Sequence, residues 1–491
     1  MVQAPDVSTE SSVSAPDVLD DMHVDVSVGS RWNWRQFCSF VGSSGLVVVA
    51  YLDPGNLESD LQIGALSTPG VPGTAFKFLW VLLLATFCGW ILQGMSVHVG
   101  IYSGTDLCSL TRIRYPRWVS ITMWLVAEVA ILSADIQAMI GTGLGINSLT
   151  GIPLGKSTTI GFFLSFAVFC TKVGIKPLEW IFFCLLLATG SIFISAAVVS
   201  RPAMGDVILG AVLPVLPRQY TFQAIGLMGS LLMPHTILVQ SALVNSRHYL
   251  SECPYEQNRQ RSVVASYINA ENAFGLTCAF LVNAAVLLVF SAAAAKTSQQ
   301  HEWTLSNAGL ALESLLGPQA YPVWAIGLIA SGMNASIAGC FAGQLIMNGF
   351  LDIRASPRVR IIGSRLVTIL PVGLAIAFLS QQEMDVFLSA ANAMQAILLP
   401  YVLVVLGKML LEEPSLYLYR MSGFKGSMLT VFTLAIVIGN VVMLYNELDS
   451  EFMVLFFAIF YAWSLLFLRL HPFSKRRLSS VSLGLQDKLL P

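Results

Sequence analysis

Twelve stretches of the chain are apolar almost without interruption over the length a membrane-spanning helix needs, about 20 residues. They read as helices at 39–65, 74–99, 117–149, 157–172, 177–199, 221–246, 263–295, 320–350, 359–381, 384–411, 427–446 and 451–470. The fourth is short, and the third and seventh are long enough to tilt. Two of the stretches are interrupted. The first carries Asp53-Pro54-Gly55-Asn56 near its middle, and the sixth carries Met233-Pro234-His235. Proline inside a helix removes a donor and crowds the preceding turn, so each interruption frees backbone carbonyls. At bilayer depth such groups are tolerated only where they are buried in protein or line a polar cavity. A carboxylate there marks a functional position by default. Two interrupted helices in corresponding places of the two halves predict a solute site near the bilayer midplane.

Composition supports the membrane reading. Of 491 residues only 11% are charged, against roughly 25% in soluble domains, and the mean hydropathy is +0.71. The formal net charge of −1 gives no electrostatic case for nucleic acid. With both termini placed in the cytoplasm, every Lys and Arg falls on the inner side of the twelve spans except Lys77, Lys156, Arg201, Arg218 and Lys296. That bias follows the positive-inside rule and predicts two cytoplasmic termini. Residues 1–36 read as a disordered acidic tail without the basic start of a signal peptide. Residues 472–491 form a short basic tail, in which Lys475-Arg476-Arg477 is an inner-face anchor. The eight cysteines are scattered, with no CxxC pair, so neither a disulfide framework nor a zinc site is expected. No address signal distinguishes a plasma membrane from an endosomal or vacuolar one.

The two interruptions offer a particular set of ligands. Asp53 supplies a hard anionic oxygen and Asn56 an amide oxygen. Unwinding exposes the carbonyl of Ala50, and the helix that restarts near Asn56 presents a positive end to the Asp53 carboxylate. At the second interruption Met233 supplies a soft thioether and Ser230 a backbone carbonyl, with His235 next in line. Mg²⁺ and Ca²⁺ prefer all-oxygen shells, so a mixed set of carboxylate, amide, carbonyls and thioether favours Mn²⁺, Fe²⁺, Co²⁺ or Cd²⁺. The competing readings are a Pro-Gly kink beside a paired buried acid, and a methionine used only for packing. Glu58 and Asp60, on the outer half of the first span, either draw cations into an outer vestibule or sit on a solvated face. The 296–320 stretch reads as a solvated loop.

The run from Tyr51 to Ala65 (YLDPGNLESDLQIGA) resembles the first-helix signature of the NRAMP family of divalent metal transporters. Met233 to Val244 (MPHTILVQSALV) is similar to that family's sixth-helix signature. Further similarity lies in Glu128 with Ser133-Ala-Asp-Ile-Gln137, in Gly343 to Leu351, and around Arg365 and Pro371. The resemblance covers roughly residues 37–470. It implies an all-α polytopic membrane protein with a LeuT-like fold: a first inverted repeat over 37–199, a second over 200–411, and two further spans over 412–471. It implies metal coordination by Asp53, Asn56, Met233 and the carbonyls of Ala50 and Ser230, joined in some states by Gln395, with the two repeats rocking around the site.

The resemblance also implies coupling to protons, since a carboxylate that binds a cation also binds a proton. His235, Asp135, Glu128 and Arg365 are the candidate relay, with Asp135 expected to pair with Arg365 because neither could remain charged alone. Three positions depart from the family pattern. Thr236 stands where Asn is usual, Gln240 where a second His is usual, and Ala138 where many members carry an acid. Gln and Ala cannot relay a proton as His and Glu can. Metal binding is therefore expected to survive and proton coupling to be weak.

The expected function is secondary transport of Mn²⁺ or Fe²⁺, with Cd²⁺ and Co²⁺ as further substrates, into the cytosol by alternating access. No enzyme activity and no cofactor are expected, and no P-loop points to ATP. The partners are divalent metal ions, protons and the bilayer. An NRAMP-like metal sensor is one alternative, disfavoured by the short tails. A LeuT-fold carrier of an organic solute is another, disfavoured because Asp53 would repel a carboxylate at the helix start.

Overall fold

The computed structural model describes residues 33–34, 37, 53–66, 75–170, 175–216, 220–245, 254–296, 303–353, 357–419, 423–447 and 451–473. Its helices are α1 (Pro54–Ala65), α2 (Leu79–Ser103), α3 (Leu107–Arg114), α4 (Arg117–Thr150), α5 (Leu154–Cys170), α6 (Ile175–Ser200), α7 (Met204–Val212), α8 (Thr221–Leu231), α9 (Pro234–Asn245), α10 (Pro254–Lys296), α11 (Ala308–Leu316), α12 (Ala320–Leu351), α13 (Pro357–Phe378), α14 (Gln381–Glu412), α15 (Gly423–Glu447) and α16 (Glu451–Leu470). Short 3₁₀ turns precede α2 (Ala75–Phe78) and follow α14 (Pro414–Tyr419).

Every predicted apolar stretch overlaps one of these helices or a pair of them, the first only from Pro54 onward, since 39–52 lie outside the described residues. Eight helices or broken pairs are long and apolar enough to cross a membrane, and nine if the bent pair α6–α7 counts as one. The expected twelve is not reached on length and composition among the described residues. The described part of the first span is the 12-residue α1, and α5 has only 17 residues. The apolar part of α13, from Ile362 to Phe378, is also under 18 residues. Three connecting stretches are structured rather than open. After α6 the chain turns by 119° at Arg201, whose φ of 47° is left-handed, and continues as α7. The 296–320 stretch, expected as a solvated loop, holds α11, whose Ala308, Ala311 and Leu312 are buried in the core. Between α2 and α4, α3 starts on an Asp106 cap that accepts from the Ser109 amide at 2.8 Å.

Two apolar cores hold the bundle. One joins α2, α8, α9 and α14 through Leu92, Leu231, Leu238 and Leu399. The other joins α1, α4, α10 and α12 through Leu61, Ile140, Phe290 and Leu328. The longest seam, α4 against α12, is built from small residues. Gly145 sits against the Ala325 carbonyl and Ile329, and Gly332 against Ala138 and Thr142, so the backbones approach as they do in membrane helix pairs. Outside this core α15 and α16 present exposed Phe424, Val431, Phe452, Phe456 and Trp463. An apolar belt of that size suits lipid, not water.

Candidate metal site

The first interruption is built by Asp53 and Pro54 together. Asp53 takes an extended conformation (φ −73°, ψ 163°) and caps α1, its Oδ1 accepting from the Asn56 amide at 2.7 Å. Pro54, at the first helical position, needs no acceptor. The restart of the helix therefore fixes the Asp53 carboxylate at its positive end. The carboxylate is 4% exposed.

The second interruption has the same logic. α8 ends at Leu231, Leu232 closes it by donating to the Met228 carbonyl at 2.8 Å, and α9 restarts at Pro234. Pro234 has no N–H, so the Ser230 carbonyl loses the donor a continuous helix would give it. The Ser230 hydroxyl is turned back onto the Leu227 carbonyl at 3.0 Å and does not fill that role. Ala50 stands in the same four-residue relation to Pro54, but lies outside the described residues.

Asp53 and Met233 line one cavity of about 80 Å³, together with His235, Thr236 and Gln240. Its walls continue along α9 to Leu243 and along α12 from Ala335 to Leu345. Asn56 and Gln395 are not among its lining residues, yet both are buried, and neither oxygen nor nitrogen of either amide has a hydrogen-bond partner among the described residues. Such amides are costly to leave idle. No group of three or more His, Cys, Asp and Glu occurs among the described residues. What the two interruptions supply instead is one carboxylate, one thioether, a carbonyl and nearby amides, a donor set suited to a borderline-soft divalent ion.

Around Pro54 and Gly55 the helices are tightly packed. The Pro54 ring lies against Gly141, leaving no room for a Cβ there, and Gly55 packs on Gln137. Gln137 in turn donates to the Leu388 carbonyl at 2.9 Å. Asn392 on α14 donates to the Gly55 carbonyl at 3.0 Å and to the Ser59 hydroxyl at 2.8 Å. Asn392 was missed in the sequence. Its signal was a mid-span amide one turn before Gln395. Thr236 was read only as a lost Asn. Its hydroxyl donates to the Met233 carbonyl at 2.8 Å, satisfying a group the interruption sets free.

The remaining candidates separate. Arg365 donates to Asp135 Oδ1 at 2.7 Å and to the Ser336 carbonyl at 3.0 Å, and Thr368 donates to Asp135 Oδ2 at 2.8 Å. This buried cluster sits behind the cavity wall formed by Ala134, Ala335 and Gly339. Glu128 is two turns away on α4 and accepts from the Trp124 indole at 2.8 Å, outside the cavity lining. His235 lines the cavity, its Nδ1 without a partner among the described residues, and Gln240 donates to Asn272 on α10 at 3.3 Å. Glu58 and Asp60 are not on a solvated face, since both are 0% exposed.

The family model "Natural resistance-associated macrophage protein-like" (Nramp) matches residues 45–446. The chain belongs to the Nramp family. Among curated relatives, "Metal transporter Nramp2" of Oryza sativa subsp. japonica is 33% identical over 390 residues, covering 78% of this chain and 72% of its own. "Metal transporter nramp1 homolog" of Dictyostelium discoideum is 34% identical over 381 residues, covering 76% and 68%. Among solved structures, a mutant of the Eremococcus coleocola manganese transporter superposes with a TM-score of 0.74 at 21% identity, covering 92% of this chain and 97% of that one. The fold of this Nramp chain is thus the all-helical LeuT-like one. Family membership also places it among transporters and not among enzymes.

Proposed function

We propose that this Nramp-family chain is a secondary transporter that carries divalent transition-metal ions, Mn²⁺ and Fe²⁺ foremost, into the cytosol by alternating access. The observation that carries this reading is that Asp53 and Met233, each at a helix interruption, line one cavity. Asn56, Gln395 and the carbonyls of Ser230 and Ala50 complete the ligand set. The repeats over 37–199 and 200–411 are the two bodies that rock. The cavity walls run along α9 and α12 toward the end of the bundle where Arg112 pairs with Asp352 at 2.9 Å. The basic bias makes that end cytoplasmic. A route closed at Gly55 and open along α9 is then an inward-facing state.

Metal-competition uptake in proteoliposomes with an internal pH dye tests both ion and coupling. Fe²⁺, Co²⁺ and Cd²⁺ are expected to compete with Mn²⁺, and Mg²⁺ at equal concentration is not. Competition by Mg²⁺ alone would overturn the assignment. With Gln240 bound to Asn272 and no second His on α9, uptake is expected to proceed with little internal acidification. Robust Mn²⁺-dependent acidification would show that the relay survives.

Met233→Ala removes the one soft ligand. Mn²⁺ uptake is expected to remain measurable while the preference for Mn²⁺ over Ca²⁺ falls about tenfold, equal to ~1.4 kcal/mol of differential binding. An unchanged preference would reduce Met233 to packing.

A further inference from the structure

The first span carries a second acid for which the ligand set has no use. Asp60 lies two turns beyond Asp53 on α1 and is 0% exposed. Neither of its carboxylate oxygens has a hydrogen-bond partner among the described residues. None of the ion pairs formed there, Arg112–Asp352, Arg114–Glu413, Arg365–Asp135 and Arg469–Glu412, includes it. Asp135 shows how this protein neutralises a structural buried acid: an arginine at 2.7 Å and two hydroxyls. Asp60 has none of these, and a carboxylate at this depth needs a positive charge beside it.

The neighbouring helix presents a matching group. Gly64 of α1 abuts α10 at Leu287, Phe290 and Ser291. Asn272, earlier on α10, lies at the level of the cavity through its bond to Gln240. The two helices therefore run in the same direction. One turn back from this contact, the helical repeat sets Asp60 on α1 at the level of Asn283 on α10. Asn283 is 0% exposed, and its amide oxygen and nitrogen also lack partners among the described residues.

We propose that Asp60 and Asn283 form an outer cation station, a second site for the transported divalent ion on the side of Asp53 away from the cavity. The proposal rests on the metal-transport reading above and adds a site to it. Seven residues of α1 separate the two acids, about 10 Å along the axis, so an ion held at one is electrostatically within reach of the other. The station offers hard oxygens and no thioether. It concentrates divalent cations without choosing among them, and the choice falls to Met233.

The test uses the full-length chain and Mn²⁺ itself. Asp60→Asn keeps the size of the side chain and mimics a neutral acid. In proteoliposomes it is expected to raise the KM for radiolabelled Mn²⁺ about tenfold, as loss of a focusing charge does, with a larger loss at low than at saturating Mn²⁺. An unchanged KM would make Asp60 a neutral structural acid and overturn the station. Independently of how that variant folds, electron paramagnetic resonance of purified Asp53→Asn protein is expected to detect one remaining bound Mn²⁺. That ion should be lost on adding Asn283→Leu. No Mn²⁺ bound by Asp53→Asn would overturn the station while leaving the inner site intact. No Mn²⁺ bound or moved by the unaltered chain would overturn the transport reading itself.

Discussion

Asp53→Asn is expected to abolish Mn²⁺ uptake while the protein folds normally. Asp53 has two jobs, and the variant separates them. As a cap it accepts from the Asn56 amide at 2.7 Å, and asparagine caps a helix as well as aspartate does. As a ligand it is the only acid among the described residues lining the cavity it shares with Met233. Every other candidate ligand there is a neutral dipole, and neutral dipoles cannot replace the hydration of a doubly charged ion at this depth. Loss of groups that merely orient ligands costs about 10–100-fold in metal affinity, so loss of the charged ligand itself is expected to exceed that. Asp53→Ala removes the cap as well and adds a stability cost of about 1 kcal/mol. Uptake of radiolabelled Mn²⁺, read beside size-exclusion profiles of both variants, makes the comparison. Wild-type flux through Asp53→Asn would refute the site.

Arg365→Leu is expected to be the most destabilising single substitution outside the site. Arg365 is 1% exposed and holds four groups at once: Asp135, the Ser336 hydroxyl at 3.1 Å, the Ser336 carbonyl at 3.0 Å and the Cys340 sulfur at 3.6 Å. Removing it leaves the Asp135 carboxylate in the interior with, among the described residues, the Thr368 and Ser336 hydroxyls alone. Breaking a buried pair on one side costs about 3–5 kcal/mol, because an uncompensated charge remains. Adding Asp135→Asn removes that charge and is expected to recover most of the loss, a coupling a double-mutant cycle measures. Thermal unfolding in detergent, followed by monodispersity, reports both. Equal stability of Arg365→Leu and the unaltered chain would mean that Asp135 is neutral in the folded protein.

The helical architecture was legible because membrane spans announce themselves locally. Lipid offers no hydrogen bonds, so each span must be apolar and helical over its own length, and the stretch at 117–149 becomes α4 almost residue for residue. The interruptions were legible for the same reason, since proline removes its own donor wherever it stands. The connecting stretches were not. α11 lies where composition suggested a solvated loop, because its Ala308, Ala311 and Leu312 are buried in a core shared with helices distant in the chain.

From the sequence alone follow the family resemblance, the two interruptions and the chemical types of the ligands, all properties of short segments. Only the tertiary structure decided which polar groups acquire partners. It gave Asp135 an arginine 230 positions away, tied Gln240 to Asn272, used Asn392 to hold the Gly55 carbonyl, and left Asp60 and Asn283 buried with no partner among the described residues. A side chain's type is written at its own position, whereas its hydrogen bonds and its water are settled by helices that arrive from elsewhere in the chain.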